Sequence, residues 1–83
     1  MKYLSTIGLN VAINNRVKLA RVSFTIKDDN TITAQVVNGH TLAKIKSLGS
    51  ITMTREEFNA LPDDPYNSLV FASSAFGLFG LSI

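Results

Sequence analysis

Apolar and polar residues alternate through most of the first half of the chain. Between Val17 and Lys46 the apolar residues fall at every second position in successive runs, which is the period of a half-buried β-strand. Clusters of turn-forming residues separate these runs. The pattern therefore predicts two consecutive β-hairpins that share their middle strand.

The Asn38-Gly39 pair sets the expected register of the second hairpin. These residues suit a two-residue type I′ turn, because both of its central positions need φ > 0. Such a turn pairs Val37 with His40. Counting outward, the same register places Val36 opposite Thr41, Ala34 opposite Ala43 and Ile32 opposite Ile45.

The Asp28-Asp29-Asn30 loop sets the register of the first hairpin independently. It suits a three-residue connection with Asn30 in the left-handed conformation. This loop pairs Ile26 with Ile32, Phe24 with Ala34 and Val22 with Val36. Both hairpins then share one apolar face, and a slip of one residue in either would turn every side chain over.

A further strand is expected before these hairpins, because Tyr3 to Ile13 also alternates. A tight turn at Asn14-Asn15 would pair Val11 with Lys18, Leu9 with Ala20, Ile7 with Val22 and Tyr3 with Ile26. The result is a four-stranded antiparallel meander. Its predicted core positions are Tyr3, Ile7, Leu9, Val11, Ala20, Val22, Phe24, Ile26, Ile32, Ala34, Val36, Ala43 and Ile45.

A short helix is predicted over residues 54–61. Thr54 can cap it while Glu57 answers at the third helical position, and Met53 and Phe58 stand where a hydrophobic staple needs them. Pro62 restricts the preceding residue and ends the helix. Ile51 and Met53 before it predict either a short fifth strand or an extended approach to the helix.

The C-terminal segment, residues 66–83, is strongly apolar and carries no charge from Ser68 onward. Such a segment must be covered, either as a helix on the apolar face of the sheet or as a strand at its edge. It can belong to the core of the chain or insert into a partner. The side chains proposed for a partner contact are Phe71, Phe76, Phe79 and Leu81.

Length and composition predict one α+β domain over residues 1–83. In it a four-stranded antiparallel meander (1–53) carries one short helix (54–61), and the apolar C-terminal segment covers one face. The chain has no cysteine, which excludes a disulfide framework and a thiolate metal site. Residues 1–53 hold seven Lys or Arg and two Asp, a net charge of +5, whereas residues 54–83 hold one Arg and four acids, a net charge of −3.

No arrangement of residues points to catalysis. The single histidine, His40, has no carboxylate near it on the predicted strand, and a general base or metal ligand needs partners. The acidic pairs Asp28-Asp29, Glu56-Glu57 and Asp63-Asp64 each suit a turn or a helix start. We expect no enzyme, no metal and no other cofactor.

The polar face of the predicted sheet is basic and rich in threonine. It suits a solvated surface without a partner, an acidic protein partner or, through its cations, the phosphates of a nucleic acid. The pattern lacks the aromatic residues that single-stranded nucleic-acid binders interleave with their charges, so a protein partner, either self or a larger complex, is preferred. The residues proposed to bind it are Lys2, Arg21, Lys27, Thr33, Gln35, Lys44 and Lys46.

We expect neither a signal peptide nor a membrane span. Tyr3 to Ile13 contains no unbroken apolar core, and the sixteen uncharged residues of the tail fall short of the roughly twenty that cross a bilayer. The expected location is the cytoplasm of a host cell or a virion.

Several short patches resemble one small phage-encoded anti-CRISPR family directed at type I-F effectors. They are Lys2-Tyr3-Leu4-Ser5-Thr6, Leu9-Asn10, Ala20-Arg21-Val22, Val36-Val37-Asn38-Gly39 and a short acidic helix ending in Leu61-Pro62. The patches cover parts of roughly the first sixty residues. The resemblance implies a four-stranded antiparallel sheet with helices and a non-catalytic inhibitor that blocks target binding by a surveillance complex. Tyr3 would match a tyrosine of the family's contact face.

The leading functional hypothesis is a small structural or accessory subunit, of viral or phage origin if the resemblance holds, that docks on a larger assembly. Its sheet face and its apolar C-terminus would make the contact. The alternatives are an anti-CRISPR-like inhibitor of a host defence complex and a nucleic-acid-binding module that uses the basic face.

Overall fold

The computed structural model describes residues 4–62 and 68–82, which form an α+β fold with one four-stranded antiparallel sheet. The strands are neighbours in chain order, as a meander requires. The elements are β1 (Leu9–Ile13), β2 (Arg16–Ile26), β3 (Thr31–Asn38), a 3₁₀ turn (Lys46–Leu48), β4 (Ser50–Thr54), α1 (Arg55–Asn59) and α2 (Ser68–Gly77).

The β1–β2–β3 part of the sheet has the predicted register. Leu9 pairs with Ala20, and Val22 pairs with Val36. The Asn residues of both turns have the positive φ that the turn types require: 52° at Asn14, 65° at Asn15 and 64° at Asn30.

The apolar C-terminal segment contains the helix α2, which packs on the predicted apolar face of the sheet. Phe71 and Phe76 of α2 are fully buried, and the Phe71 ring lies 5.7 Å from the ring of Phe24 on β2. The ring of Phe58 on α1 packs edge-on against the same Phe24 ring, with 5.0 Å between the two ring centroids. The buried core consists of Val11, Ile13, Ala20, Val22, Phe24, Ile32, Ala34, Val36, Met53, Phe58, Phe71, Ala72, Ala75 and Phe76.

The helix α1 begins as predicted. The Thr54 hydroxyl accepts from the Glu57 N–H, and the Glu57 carboxylate accepts from the Thr54 N–H, each at 3.1 Å. This capping box satisfies two backbone donors that a helix start leaves without partners. The Phe58 side chain that the cap positions is buried in the core.

The predicted Asn38-Gly39 type I′ turn is wrong. The chain reverses over Gly39 to Leu42, with the Leu42 backbone at φ 63°, and the Asn38 Oδ1 accepts from the His40 and Thr41 N–H groups. Gly39 continues the pairing with β2, because its N–H donates to the Leu19 C=O at 2.9 Å.

The segment after this turn is not the fourth strand. Lys44 forms one bridge with Val37, and the Ile45 N–H donates to the Val36 C=O. The fourth strand is β4, in which Ile51 pairs with Ala34 and Met53 with Ile32. The predicted Ala34–Ala43 and Ile32–Ile45 pairs are therefore wrong, and Ala43 lies exposed at the end of the sheet.

The predicted strand before Leu9 is interrupted by a β-bulge. Ser5 pairs with Ser23 while Leu9 pairs with Ala20, so four steps along the first segment match three along β2. The extra residue turns Thr6 inward, with 2% of its surface exposed, and Ile7 outward, with 40% exposed. The prediction of Ile7 as a core residue is wrong for this reason.

Three further predicted core positions, Leu9, Ile26 and Ile45, are not fully buried in the described structure. Ile26 is 48% exposed at the end of β2, next to the loop that leads to β3. Leu9 and Ile45 are partly buried against the core. The predicted core position Tyr3 lies outside the described residues.

Candidate functional site

One face of the sheet has no helix packed on it among residues 4–62 and 68–82. Because α1 and α2 bury their apolar side chains against Val22, Phe24 and the other core positions, the alternate residues of each strand point away from both helices. We call this side the open face.

Uncharged polar side chains occupy the centre of the open face in rows across the strands. Ser23, Gln35 and Ser50 lie side by side on β2, β3 and β4, and Thr25, Thr33 and Thr52 form the next row. The bridge between Ser5 and Ser23 extends the first row toward the chain start. The arrangement offers hydroxyl and amide groups that both donate and accept hydrogen bonds.

Thr33 is the least satisfied member of these rows. It stands on the central strand with only 9% of its surface exposed, and its Oγ1 has no hydrogen-bond partner. A buried hydroxyl without a partner costs free energy. Thr33 was predicted as a partner-binding residue, and its burial restricts it to contacts made from directly above the strand.

Arg21 contributes mainly to the structure of the face. Its Nη1 donates to the Thr6 C=O at 3.2 Å, and its Nε donates to the Gly39 C=O at 3.4 Å. The guanidinium thus joins the bulged first segment to the turn that follows β3. A partner could still reach it, since the side chain is half-buried.

The predicted cations lie at opposite ends of the open face. Lys27 is exposed directly after β2, beside the Asp28–Asn30 loop. Lys44 and Lys46 are exposed near the other end, and together with Gln35 they line one cavity. Lys2, proposed for the same face, and Tyr3, assigned to a contact face only by the anti-CRISPR resemblance, lie outside the described residues.

The cavity occupies the gap between β3 and the segment that leads to β4. Its volume is about 250 Å³, and its lining residues are Gln35, Val36, Lys44, Ile45, Lys46, Gly49 and Ser50. Gly49 and Ser50 were not proposed as site residues. The break in alternation at Leu48-Gly49-Ser50 was the sequence signal that could have pointed to them.

The proposed C-terminal contact residues divide into two groups. Phe71 and Phe76 are buried in the core of the chain itself, so they cannot contact a partner in this fold; the prediction of a partner contact through them needs that correction. Phe79 and Leu81 are partly buried against the same core. The exposed apolar residues of this segment are instead Leu69, Val70 and Leu78, which were not predicted.

The described residues contain no constellation with evident chemistry. No group of three or more His, Cys, Asp or Glu side chains that could hold a metal ion occurs within residues 4–62 and 68–82. His40 lies exposed in the turn after β3. Asp63 and Asp64 fall outside the described residues. Neither α1 nor α2, nor any other described helix, has the length and apolar character needed to cross a bilayer.

The Asp29 carboxyl lies in the loop between β2 and β3. The Thr31 hydroxyl and the Thr31 N–H both donate to its Oδ1, and these hydrogen bonds lower the pKa of Asp29 below its usual value of 3.8. The group is fully exposed and fixes the β2–β3 loop. It has the geometry of a turn residue, with no reacting partner beside it.

Comparison with known proteins gives no match. No family model, no curated protein and no solved structure is similar to this chain. The resemblance to the anti-CRISPR family, with its implied role for Tyr3, therefore stays a prediction.

Proposed function

We propose that this protein acts without catalysis, by docking the open face of its sheet on a larger protein assembly. The observation that carries the proposal is the composition of that face: a broad uncharged polar centre with cations at its ends. Antiparallel sheets are stable with one solvated face, so exposure by itself is not the argument.

The charge distribution favours a protein partner with acidic groups. Charged residues are depleted in the centre of protein interfaces, and charges near the rim guide association and select the partner. The open face follows this pattern, since Ser23, Thr25 and Thr52 lie centrally while Lys27 and Lys44 lie toward the ends.

The location of the aromatic residues argues against a single-stranded nucleic acid. Such ligands are held by stacking of bases on accessible aromatic rings. Phe24, Phe58, Phe71 and Phe76 are buried in the core, and Phe79 is partly buried against it. No phenylalanine lies on the open face and no tyrosine falls within residues 4–62 and 68–82, so the described part of this face offers no aromatic ring for stacking.

The outward side of α2 offers a second surface for the same function. Leu69 and Val70, which are consecutive on α2, are 50% and 38% exposed, although a helix at the surface of a globular fold normally presents polar side chains to solvent. Exposed apolar side chains at neighbouring positions are typical of contact surfaces. A stable subunit of an assembly would cover them, whereas an inhibitor of a host complex would be a monomer before it meets its target.

Site-specific photocrosslinking in the organism that encodes the protein tests the docking face. Benzoylphenylalanine is placed at Thr25 and Thr52 on the open face, at Ser73 on the outward side of α2, and at Asn59 on α1 as the control; all four positions are exposed. We expect Thr25 and Thr52 to yield the same crosslinked protein and Asn59 to yield none.

Three results would contradict the proposal. Crosslinks from Ser73 without crosslinks from Thr25 and Thr52 would move the contact to α2. Equal crosslinks from all four positions would indicate nonspecific encounters. Crosslinks to nucleic acid, removed by nuclease and weakened steeply by salt, would favour the nucleic-acid alternative.

A further inference from the structure

The sheet is split where its last strand joins β3. Val36 and Ile45 lie opposite each other, and the next residue of β3, Gln35, pairs with Ser50. Residues 46–49 therefore do not pair with β3, and they leave the sheet as a loop that contains the 3₁₀ turn. The cavity described above is the space that this excursion leaves beside β3.

The polar side chains that line the cavity can all donate hydrogen bonds. Lys44 and Lys46 bring two ammonium groups, which donate and cannot accept, and Gln35 and Ser50 add an amide and a hydroxyl. No Asp or Glu lines the cavity. Neither lysine forms an ion pair with an acid in the described ranges.

The described acids of this chain are held away from the cavity. Asp29 and the α1 glutamates flank the Thr31–Thr54 pair, which lies four residues from the Gln35–Ser50 pair along β3, about 13 Å. The Glu57 carboxylate is also bound to the cap of α1. The positive charge at the cavity is therefore not neutralised by these groups.

The size of the cavity limits what can enter it. Pockets for drug-sized ligands are roughly 300 to 1,000 Å³. At about 250 Å³ this cavity is smaller than these and has room for a side-chain carboxylate. A carboxylate accepts several hydrogen bonds, and ammonium donors form its stronger, charge-assisted ones.

We infer that this cavity receives a carboxylate side chain, Glu or Asp, of the protein partner. The inference rests on the proposed function, because it assumes that a protein docks on the open face. Lys44 and Lys46 bind the carboxylate, and Gln35 and Ser50 orient it. The cavity then sets the position of the partner on the sheet, while the polar rows supply the surrounding contact area.

The test is an NMR titration of the ¹⁵N-labelled full chain with a capped hexaglutamate peptide. A capped hexaglutamine peptide is the matched neutral probe. We expect hexaglutamate to shift the amide signals of Gln35 and of residues 44–50, and hexaglutamine to leave them in place. The Lys44→Gln, Lys46→Gln double variant should bind hexaglutamate about tenfold more weakly or worse, because it loses both charge-assisted donors. Lys18→Gln, which removes one exposed lysine of β2 that does not line the cavity, should leave binding unchanged.

Several outcomes overturn the inference. Shifts spread equally over Lys18, Lys27 and the cavity would indicate nonspecific attraction, and unchanged binding in the double variant would exclude the lysines as the site. Inorganic phosphate or oligothymidylate that shifts the cavity signals at lower concentration than hexaglutamate would assign the cavity to a phosphate instead.

The photocrosslinking experiment separates this inference from the proposed function. Crosslinks from Thr25 and Thr52 that persist undiminished in the double variant would retain the docking face and reject the cavity as its anchor. Absent crosslinks together with specific hexaglutamate binding would reject the docking face and retain the carboxylate site.

Discussion

The loop before β3 and the turn after it begin from similar sequence signals and end in different structures. Asn30 is left-handed, with φ 64°, and the β2–β3 register follows from it as expected. Asn38-Gly39 is the stronger turn signal of the two, yet the left-handed residue lies four positions beyond Asn38, at Leu42.

The difference arises from what lies beside each reversal. At the Asp28–Asn30 loop β2 has already ended, so it offers no backbone group that could pair with the loop residues. By contrast, the first residues of β2 extend past the end of β3. The Leu19 C=O there accepts a hydrogen bond from the Gly39 N–H. A Cβ atom on Gly39 would lie 2.7 Å from Leu19 Cγ. Gly39 is thus needed for close approach to β2, not for a positive φ.

Substitution of this glycine should have the largest effect. We expect Gly39→Ala to lower the free energy of unfolding by about 2 to 3 kcal/mol, because the new methyl group overlaps Leu19. Urea unfolding in the Leu19→Ala background is the matched measurement. There the added cost of Gly39→Ala should fall below about 1 kcal/mol. If Gly39→Ala lowers the free energy of unfolding equally in both backgrounds, contact with Leu19 is not the reason that this position needs glycine.

The bulge on the other side of β2 gives the next largest effect. The Thr6 hydroxyl accepts from the Val22 N–H at 3.0 Å, so Thr6→Val leaves a buried donor without a partner. We expect a loss of about 2 kcal/mol in urea unfolding. Thr33→Val is the matched control, because the Thr33 Oγ1 has no partner to lose. It should be neutral or stabilise the fold by up to about 1 kcal/mol. If Thr6→Val and Thr33→Val lower the free energy of unfolding by similar amounts, the hydrogen bond between Thr6 and Val22 in the bulge does not explain the effect.

The Leu42→Gly substitution distinguishes the observed turn over Gly39 to Leu42 from a type I′ turn at Asn38-Gly39. Leu42 is 61% exposed and has φ 63°, a region that costs a non-glycine residue roughly 1 to 2 kcal/mol. Leu42→Gly should therefore raise the midpoint of thermal unfolding, with a gain of about 1 kcal/mol. A type I′ turn at Asn38-Gly39 predicts the opposite sign, because Leu42 would then lie within a strand, where glycine destabilises.

Acidification should destabilise the loop before β3, and this is the smallest of the four predicted effects. The pKa of Asp29 is lowered by hydrogen bonds from Thr31, so the folded state binds the proton less readily than the unfolded chain. The stabilisation is therefore complete above the usual pKa of 3.8 and is lost as the pH falls through the lower folded value. The Thr31 amide signal should shift with that titration, and Asp29→Asn should abolish the shift. A transition at or above pH 3.8 would contradict the proposed hydrogen bonds.

Part of the candidate site was predictable from the sequence. The alternation placed Thr33 and Gln35 on the face opposite Val36, and composition made that face basic. The cavity could not be foreseen, because it depends on the four-residue excursion between Ile45 and Ser50. Alternation predicts which side of a strand a residue faces, but it does not predict where pairing stops.

Features that depend on neighbours within a few residues could be predicted from the sequence alone. These are the two faces of β2 and β3, the positive φ of Asn30 and the capping box between Thr54 and Glu57. Each results from local sterics or a local hydrogen bond.

Only the tertiary structure decided how the chain turns after β3, where the first segment bulges and that the C-terminal segment is a helix. Gly39 is positioned by Leu19, twenty residues earlier, the inward turn of Thr6 is held by Val22, and Phe71 is buried against Phe24. In each case a contact distant in sequence outweighs the local preference, because burial and backbone hydrogen bonds in the folded chain contribute more than the choice of one turn type.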